Sequence, residues 1–149
     1  MEQQASPRAL RRLIYSSRYT GSPGDLGDVL SKIIAKSIQN NRLVNVTGFL
    51  VAGEGVFLQL LEGPATAVQE TFERLSGDPR HADLVIISDG QAQSRMFNDW
   101  NMGQHSIGAS GAPRLEDLES EGLGFALGDQ SRAELLFAKL GKHYLRQRT

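Results

Sequence analysis

The chain has 149 residues, 40% of them hydrophobic, which suits one domain with a single core and a short extension. A formal net charge of −1 gives no electrostatic reason to expect nucleic acid or an acidic membrane as partner. The absence of cysteine excludes disulfides, thiolate metal sites and a cysteine nucleophile, and the three histidines (His81, His105, His143) lack metal-pair spacing, so no catalytic metal is expected.

Residues 1–8 read as a flexible leader without the apolar stretch of a signal peptide, and no run reaches membrane-spanning length; a cytoplasmic protein is expected. Residues 9–17 (ALRRLIYSS) predict a strand with Leu13 and Tyr15 on one face and Ile14 on the other. Ser22-Pro23-Gly24-Asp25 reads as a capping box opening a helix whose apolar stripe is Leu26, Val29, Leu30, Ile33, Ile34 and Ile38. That helix should end near Asn40-Asn41, because asparagine tolerates the left-handed conformation. Residues 46–52 and 56–62 predict two strands joined by a turn at Gly53-Glu54-Gly55. Gly63-Pro64 starts a second helix, with Val68, Phe72 and Leu75 inward and Gly77-Asp78-Pro79 as its stop. Residues 84–88 predict a strand, Asp89-Gly90 a turn, and residues around 92–102 a last strand. Residues 103–113 then read as a glycine-rich loop, 114–120 as a short helix, and 131–147 as a longer one. Ser131 and Glu134 would cap that helix, with Leu136, Leu140 and Tyr144 on one face.

The order β-α-β-β-α-β plus one strand is the ferredoxin-like arrangement, an α+β fold with two helices on one face of a sheet. The tail is expected as a helical cap on the open face. This divides the chain into a leader (1–8), a domain (9–105) and an extension (106–149). The first and third strands lie side by side in this topology, so Tyr15 and Gln59 become neighbours if both face the helices.

Gln59, inside VFLQLLE, shares a strand face with Phe57 and Leu61. A buried amide left unmade costs about 1–3 kcal/mol per group, so Gln59 either pairs with nearby backbone or meets a ligand. Tyr15 is either a core tyrosine with a satisfied hydroxyl or a neutral donor of an electron and a proton. Taken alone, Asn40 and Asn41 read as helix-end residues, and Trp100 and Met102 as core or edge packing groups. Taken together, these residues fit a flat ring slid between the helices. Ile33 and Leu75 would wall it, Asn41 would bond its polar edge, and Arg74 or Asp78 would reach its side chain or its pyrimidine end.

LRRLIYSSR, SIQNNRLVNVTG, VFLQLLEG, DPRH and FNDWNMG, in that order from about Leu10 to His105, resemble the BLUF domain, a flavin-based blue-light sensor. The resemblance implies FAD bound noncovalently between the helices, with Tyr15 as photochemical electron and proton donor. It implies Gln59 as the switch between Tyr15 and the flavin, and Asn41 as a ligand of the flavin carbonyl. Ser37, Asn40, Arg74, Asp78 and Arg80 match positions that contact the cofactor; Phe57 joins that set from the face of Gln59. Trp100 and Met102 match positions that read out the state of the glutamine. No enzymatic activity is implied. The signal would pass through the last strand and tail helix to an unidentified partner protein or a second copy, with no nucleic acid or membrane involved. Three rivals are an acylphosphatase-like hydrolase holding an anion at Arg18, a cofactor-free binding module, and a flavoprotein of ordinary dark redox chemistry. Fold alone does not choose among them.

Overall fold

The structure of the chain, a computed structural model, describes residues 9–97, 102–106 and 129–148. Five strands, β1 (Leu10–Tyr19), β2 (Thr47–Gly53), β3 (Val56–Pro64), β4 (His81–Gln91) and β5 (Gly103–Ser106), form one sheet in the order β4-β1-β3-β2-β5. The β2–β5 pairing is parallel and the others are antiparallel. Among the described residues three α-helices accompany it: α1 (Leu26–Leu43), α2 (Ala65–Ser76) and α3 (Gln130–Arg148). This is the expected α+β, ferredoxin-like sheet with an extra strand and a C-terminal helical cap.

Strand alternation divides the core in two. Leu13, Tyr15, Leu50, Phe57 and Leu61 face one side, where they pack with Leu30 of α1, Val68 of α2 and Met102. Ile14, Phe49, Val51, Leu58 and Leu60 face the other, under Ala133, Leu136, Phe137 and Leu140 of α3. The α1 stripe packs as its spacing predicts, with Leu26, Val29, Ile33, Ile34 and Ile38 flanking buried Leu30. Between β2 and β3 both turn residues, Glu54 (φ 56°) and Gly55 (φ 77°), take positive φ, the geometry that matches a two-residue hairpin to strand twist.

Several boundaries depart from expectation. Ser22 and Asp25 bond side chain to side chain (Oγ to Oδ2, 2.7 Å) instead of capping backbone, and Pro23–Asp25 form a 3-10 turn ahead of α1. α1 continues past Asn40-Asn41 to Leu43, and the left-handed residue is Asn45 (φ 61°). At α3, Asp129 rather than Ser131 is the cap, its Oδ1 accepting from the Arg132 N–H at 3.0 Å, while Glu134 takes the Ser88 hydroxyl at 2.9 Å. Asp89-Gly90 is no turn: both residues pair with β1 inside an eleven-residue β4. The last strand is Gly103–Ser106, where a loop was expected, and residues 92–97 are not strand. The backbone N–H groups of Met96 and Phe97 are taken by the Glu62 carboxylate and so are lost to any ladder. The leader 1–8, Trp100, the rest of the glycine-rich loop from 107, the helix at 114–120 and the Tyr144 side chain lie outside the described residues.

Candidate functional site

Gln59 lies mid-strand in β3 with its amide turned toward α1 and α2, and antiparallel register sets Tyr15 of β1 directly opposite. The Tyr15 hydroxyl donates to Gln59 Oε1 at 2.5 Å. At the other end of the amide, Nε2 donates to Met102 Sδ at 3.7 Å. All three side chains are buried. The amide is therefore held firmly at its oxygen and weakly at its nitrogen, since a thioether is a poor acceptor. Phe72 of α2 meets the Tyr15 ring edge-on, centroids 5.0 Å apart. Burial first, and the Asp78 carboxylate second, push the Tyr15 phenol well above its ordinary pKa. It is a neutral, protonated donor at any physiological pH.

A cleft of about 440 Å³ opens between α1 and the end of α2, within the size range of small-molecule sites. From α1 come Ile33, Lys36, Ser37 and Asn40; from α2 and the loop after it come Arg74, Leu75, Asp78 and Arg80. A separate small cavity of about 20 Å³ adjoins the cleft at its inner end, sharing Ile33, Leu75, Asp78 and Arg80 with it and lined further by Leu50, Phe57, Gln59 and His81. Asp78 and Arg80 are paired at the rim, and Asp78 Oδ1 also accepts the Arg80 backbone N–H at 2.9 Å. This guanidinium holds the Asp78 carboxyl below its ordinary range, and the carboxylate raises Arg80 in turn.

The expected residues are not equally close to the cleft. Ile33, Ser37, Asn40, Phe57, Gln59, Arg74, Leu75, Asp78 and Arg80 line its outer or inner part. Tyr15 and Met102 stand behind, touching Gln59. Asn41 is fully buried at the end of α1 and lines neither part; its backbone carbonyl accepts from Val44 (3.2 Å) and Val46 (2.9 Å). Trp100 is outside the described residues. Arg18, the anchor of the hydrolase reading, is an exposed side chain paired with Asp83 at 2.9 Å.

Five lining residues were missed, Lys36, Leu50, Gly77, Pro79 and His81, of which two carry polar side chains. Lys36 carried no signal beyond being polar on a helix. His81 bridges Leu75 O through Nε2 (2.6 Å) and Ser17 Oγ through Nδ1 (2.7 Å). A carbonyl only accepts, so Nε2 carries the proton and the ring ties the end of α2 to β1. Only its place in DPRH marked it in the sequence. Among the described residues no group of three or more potential His, Cys, Asp or Glu ligands gathers, and no helix is long and apolar enough to cross a membrane.

The donor set fits a flavin: apolar walls for a flat ring, a polar amide at the inner end, and Lys36 and Arg74 bringing positive charge to the mouth. As the side chains stand, the inner end is too narrow for a ring, so Ile33 and Leu75, which are not fully buried, would have to part.

Fold and site define a small α+β module in which a buried phenol–amide pair sits at the floor of a ligand cleft. The family described as BLUF, sensors of blue light using FAD, matches residues 10–103, and the chain belongs to that family of blue-light flavin photoreceptors. It is 32% identical over 98 residues to the photoactivated adenylate cyclase subunit beta of Euglena longa, covering 66% of this chain and 11% of that protein. To the subunit alpha of Euglena gracilis it is 30% identical over 98 residues, covering 66% and 10%. The chain thus spans a small part of these relatives' length. Among solved structures, the dark state of BlrB, a BLUF protein, superposes with a TM-score of 0.73 at 25% identity, covering 93% of this chain and 99% of that one. The BlsA ground state gives 0.75 at 23% identity over 89% and 87%, a likeness of fold.

Proposed function

We propose that the chain senses blue light through Tyr15, Gln59 and Met102, holds FAD in the cleft between α1 and α2, and signals to a partner protein in the cytoplasm without catalysing a reaction of its own. The observation that carries this is the Gln59 amide, held at 2.5 Å by Tyr15 and at 3.7 Å by Met102 at the floor of that cleft. A bound flavin supplies blue-light absorption and, when excited, a strong oxidant.

The protein's residues supply the rest. An electron leaving Tyr15 would strand a positive charge in a buried site unless the phenolic proton leaves too. Gln59 Oε1 lies on that proton's path. Rotating or tautomerising the amide exchanges its bond to Met102 for others, and the weakness of that bond keeps the two arrangements close in energy. Such an exchange is worth about 0.5–1.5 kcal/mol per bond. A near-complete two-state flip takes about 5.5 kcal/mol, so the structural change should be modest. Ile33, Phe57 and Leu75 would wall the ring, with Asn41 at its polar edge. Ser37, Asn40, Asp78 and Arg80 would hold the ribityl side, and Lys36 and Arg74 the phosphates, which favours FAD over riboflavin. Trp100 would share in the readout with Met102.

The test is direct. Purified protein should be yellow, release FAD on denaturation, and show a reversible red shift of its flavin spectrum under blue light. Tyr15→Phe should abolish that shift; a lasting shift in this variant would refute the mechanism.

A further inference from the structure

Glu62 lies three residues beyond Gln59 on β3 and is only 1% exposed, on the α3 face. A carboxylate so buried is costly unless fully bonded. Its Oε1 accepts the backbone N–H groups of Met96 (2.8 Å) and Phe97 (3.0 Å), and its Oε2 accepts Arg12 Nε (2.9 Å). Arg12 Nη2 donates onward to Ser94 O at 2.8 Å, and Arg95 reaches Thr47 Oγ1 (2.9 Å) and Asn45 O (2.8 Å). Residues 94–97 are thereby tied to β1 and to the start of β2.

That short segment leads toward both sides of the sheet. The Phe97 ring stacks on Phe49 at 4.8 Å and meets Phe137 of α3 edge-on at 6.3 Å. Met102 packs on the opposite face, against Gln59. Four residues separate the two. At no more than about 3.5 Å per residue, a displaced anchor at Phe97 moves the limits within which Met102 can sit.

We propose that Glu62 is a positioning residue for the light response. Its carboxylate fixes residues 94–97, and through them sets where the Met102 thioether meets Gln59 and how Phe97 links that methionine to α3. The role rests on the photosensor function above.

Trp100 is the chain's sole tryptophan and falls between anchor and methionine in sequence, so its emission reports on this segment without any photochemistry. The experiment compares full-length, flavin-loaded wild type with Glu62→Gln, which keeps the volume but loses the charge. Acrylamide quenching of Trp100 in the dark should differ several-fold between the two. Thermal recovery of the lit state should change about tenfold, the scale of one lost hydrogen bond to a charged group. In a Met102→Ala background the same substitution should leave recovery unchanged, because the effect runs through that thioether. If Glu62→Gln does not fold, Arg12→Gln, which leaves both backbone bonds to the carboxylate, should change quenching and recovery from the wild-type values by less than about tenfold. Wild-type quenching and recovery in the folded variant of a light-responsive protein would overturn the role of Glu62 alone, as would fully additive effects in the double variant. A wild type with no reversible light shift would instead overturn the photosensor function, and this role with it.

Discussion

Under α3 the sheet presents Ile14, Phe49, Val51, Leu58 and Leu60 to Ala133, Leu136, Phe137 and Leu140, an apolar layer bordered by the bond from Ser88 to Glu134. Under α1 and α2 the same strands turn Tyr15, Ser17 and Gln59 inward; buried Gln59 and Ser37 and half-buried His81 border the cleft, while Tyr15 and buried Asn41 stand behind it. The first face gains stability from close packing. The second gives up packing for placed polar groups and room for a ligand. Period-two alternation lets one set of strands serve both ends, because neighbouring residues send their side chains to opposite faces.

That comparison can be broken by mutation. The largest effect should come from the dry face: Phe137→Ala should cost about 3–5 kcal/mol in denaturant unfolding while leaving the wavelength of the light-induced shift in place. A shifted wavelength would show that the faces are not separate. On the other face, Tyr15→Phe leaves the buried Gln59 Oε1 without its donor and should cost about 1–3 kcal/mol of stability yet remove the photoresponse, read by the same unfolding assay and by difference spectra.

The phenol also makes a pH prediction. Below its ordinary value of 10.0, Tyr15 is protonated in both folded and unfolded chains. Above it the unfolded chain ionises first while the folded chain keeps its proton, so stability falls as pH rises toward the folded value. Tyr15→Phe should flatten that limb; parallel limbs in urea titrations on either side of this pH would rule the coupling out. The smallest effect should be at the cleft mouth. Arg74→Gln should weaken flavin retention by at most about fivefold and reduce its salt dependence, measured by flavin release at two ionic strengths.

Much of this was legible in local pattern. The α1 stripe, a hairpin turn within Gly53-Glu54-Gly55 and the shared parity of Tyr15 and Leu13 follow from patterns a few residues long, which need no distant partner. The end of the sheet was not legible. Residues 92–102 carry strand-like residues, yet Met96 and Phe97 give their N–H groups to a carboxylate 34 and 35 positions away. Nor could spacing show that Asn41 would be fully buried or that His81 would bridge Leu75 and Ser17, bonds that depend on α2 ending beside β1.

By itself, then, the sequence determined most of the strands and helices short of the end of the sheet, which faces of them are apolar, and which family motifs they carry, because these are properties of neighbouring residues. Only the tertiary structure decided that Tyr15 and Gln59 stand in register, that Met102 closes the far end of the amide, and that Glu62 is bound to the segment leading there. Those contacts join residues 34 to 44 positions apart, and chain closure over such distances is set by the packing of the whole sheet.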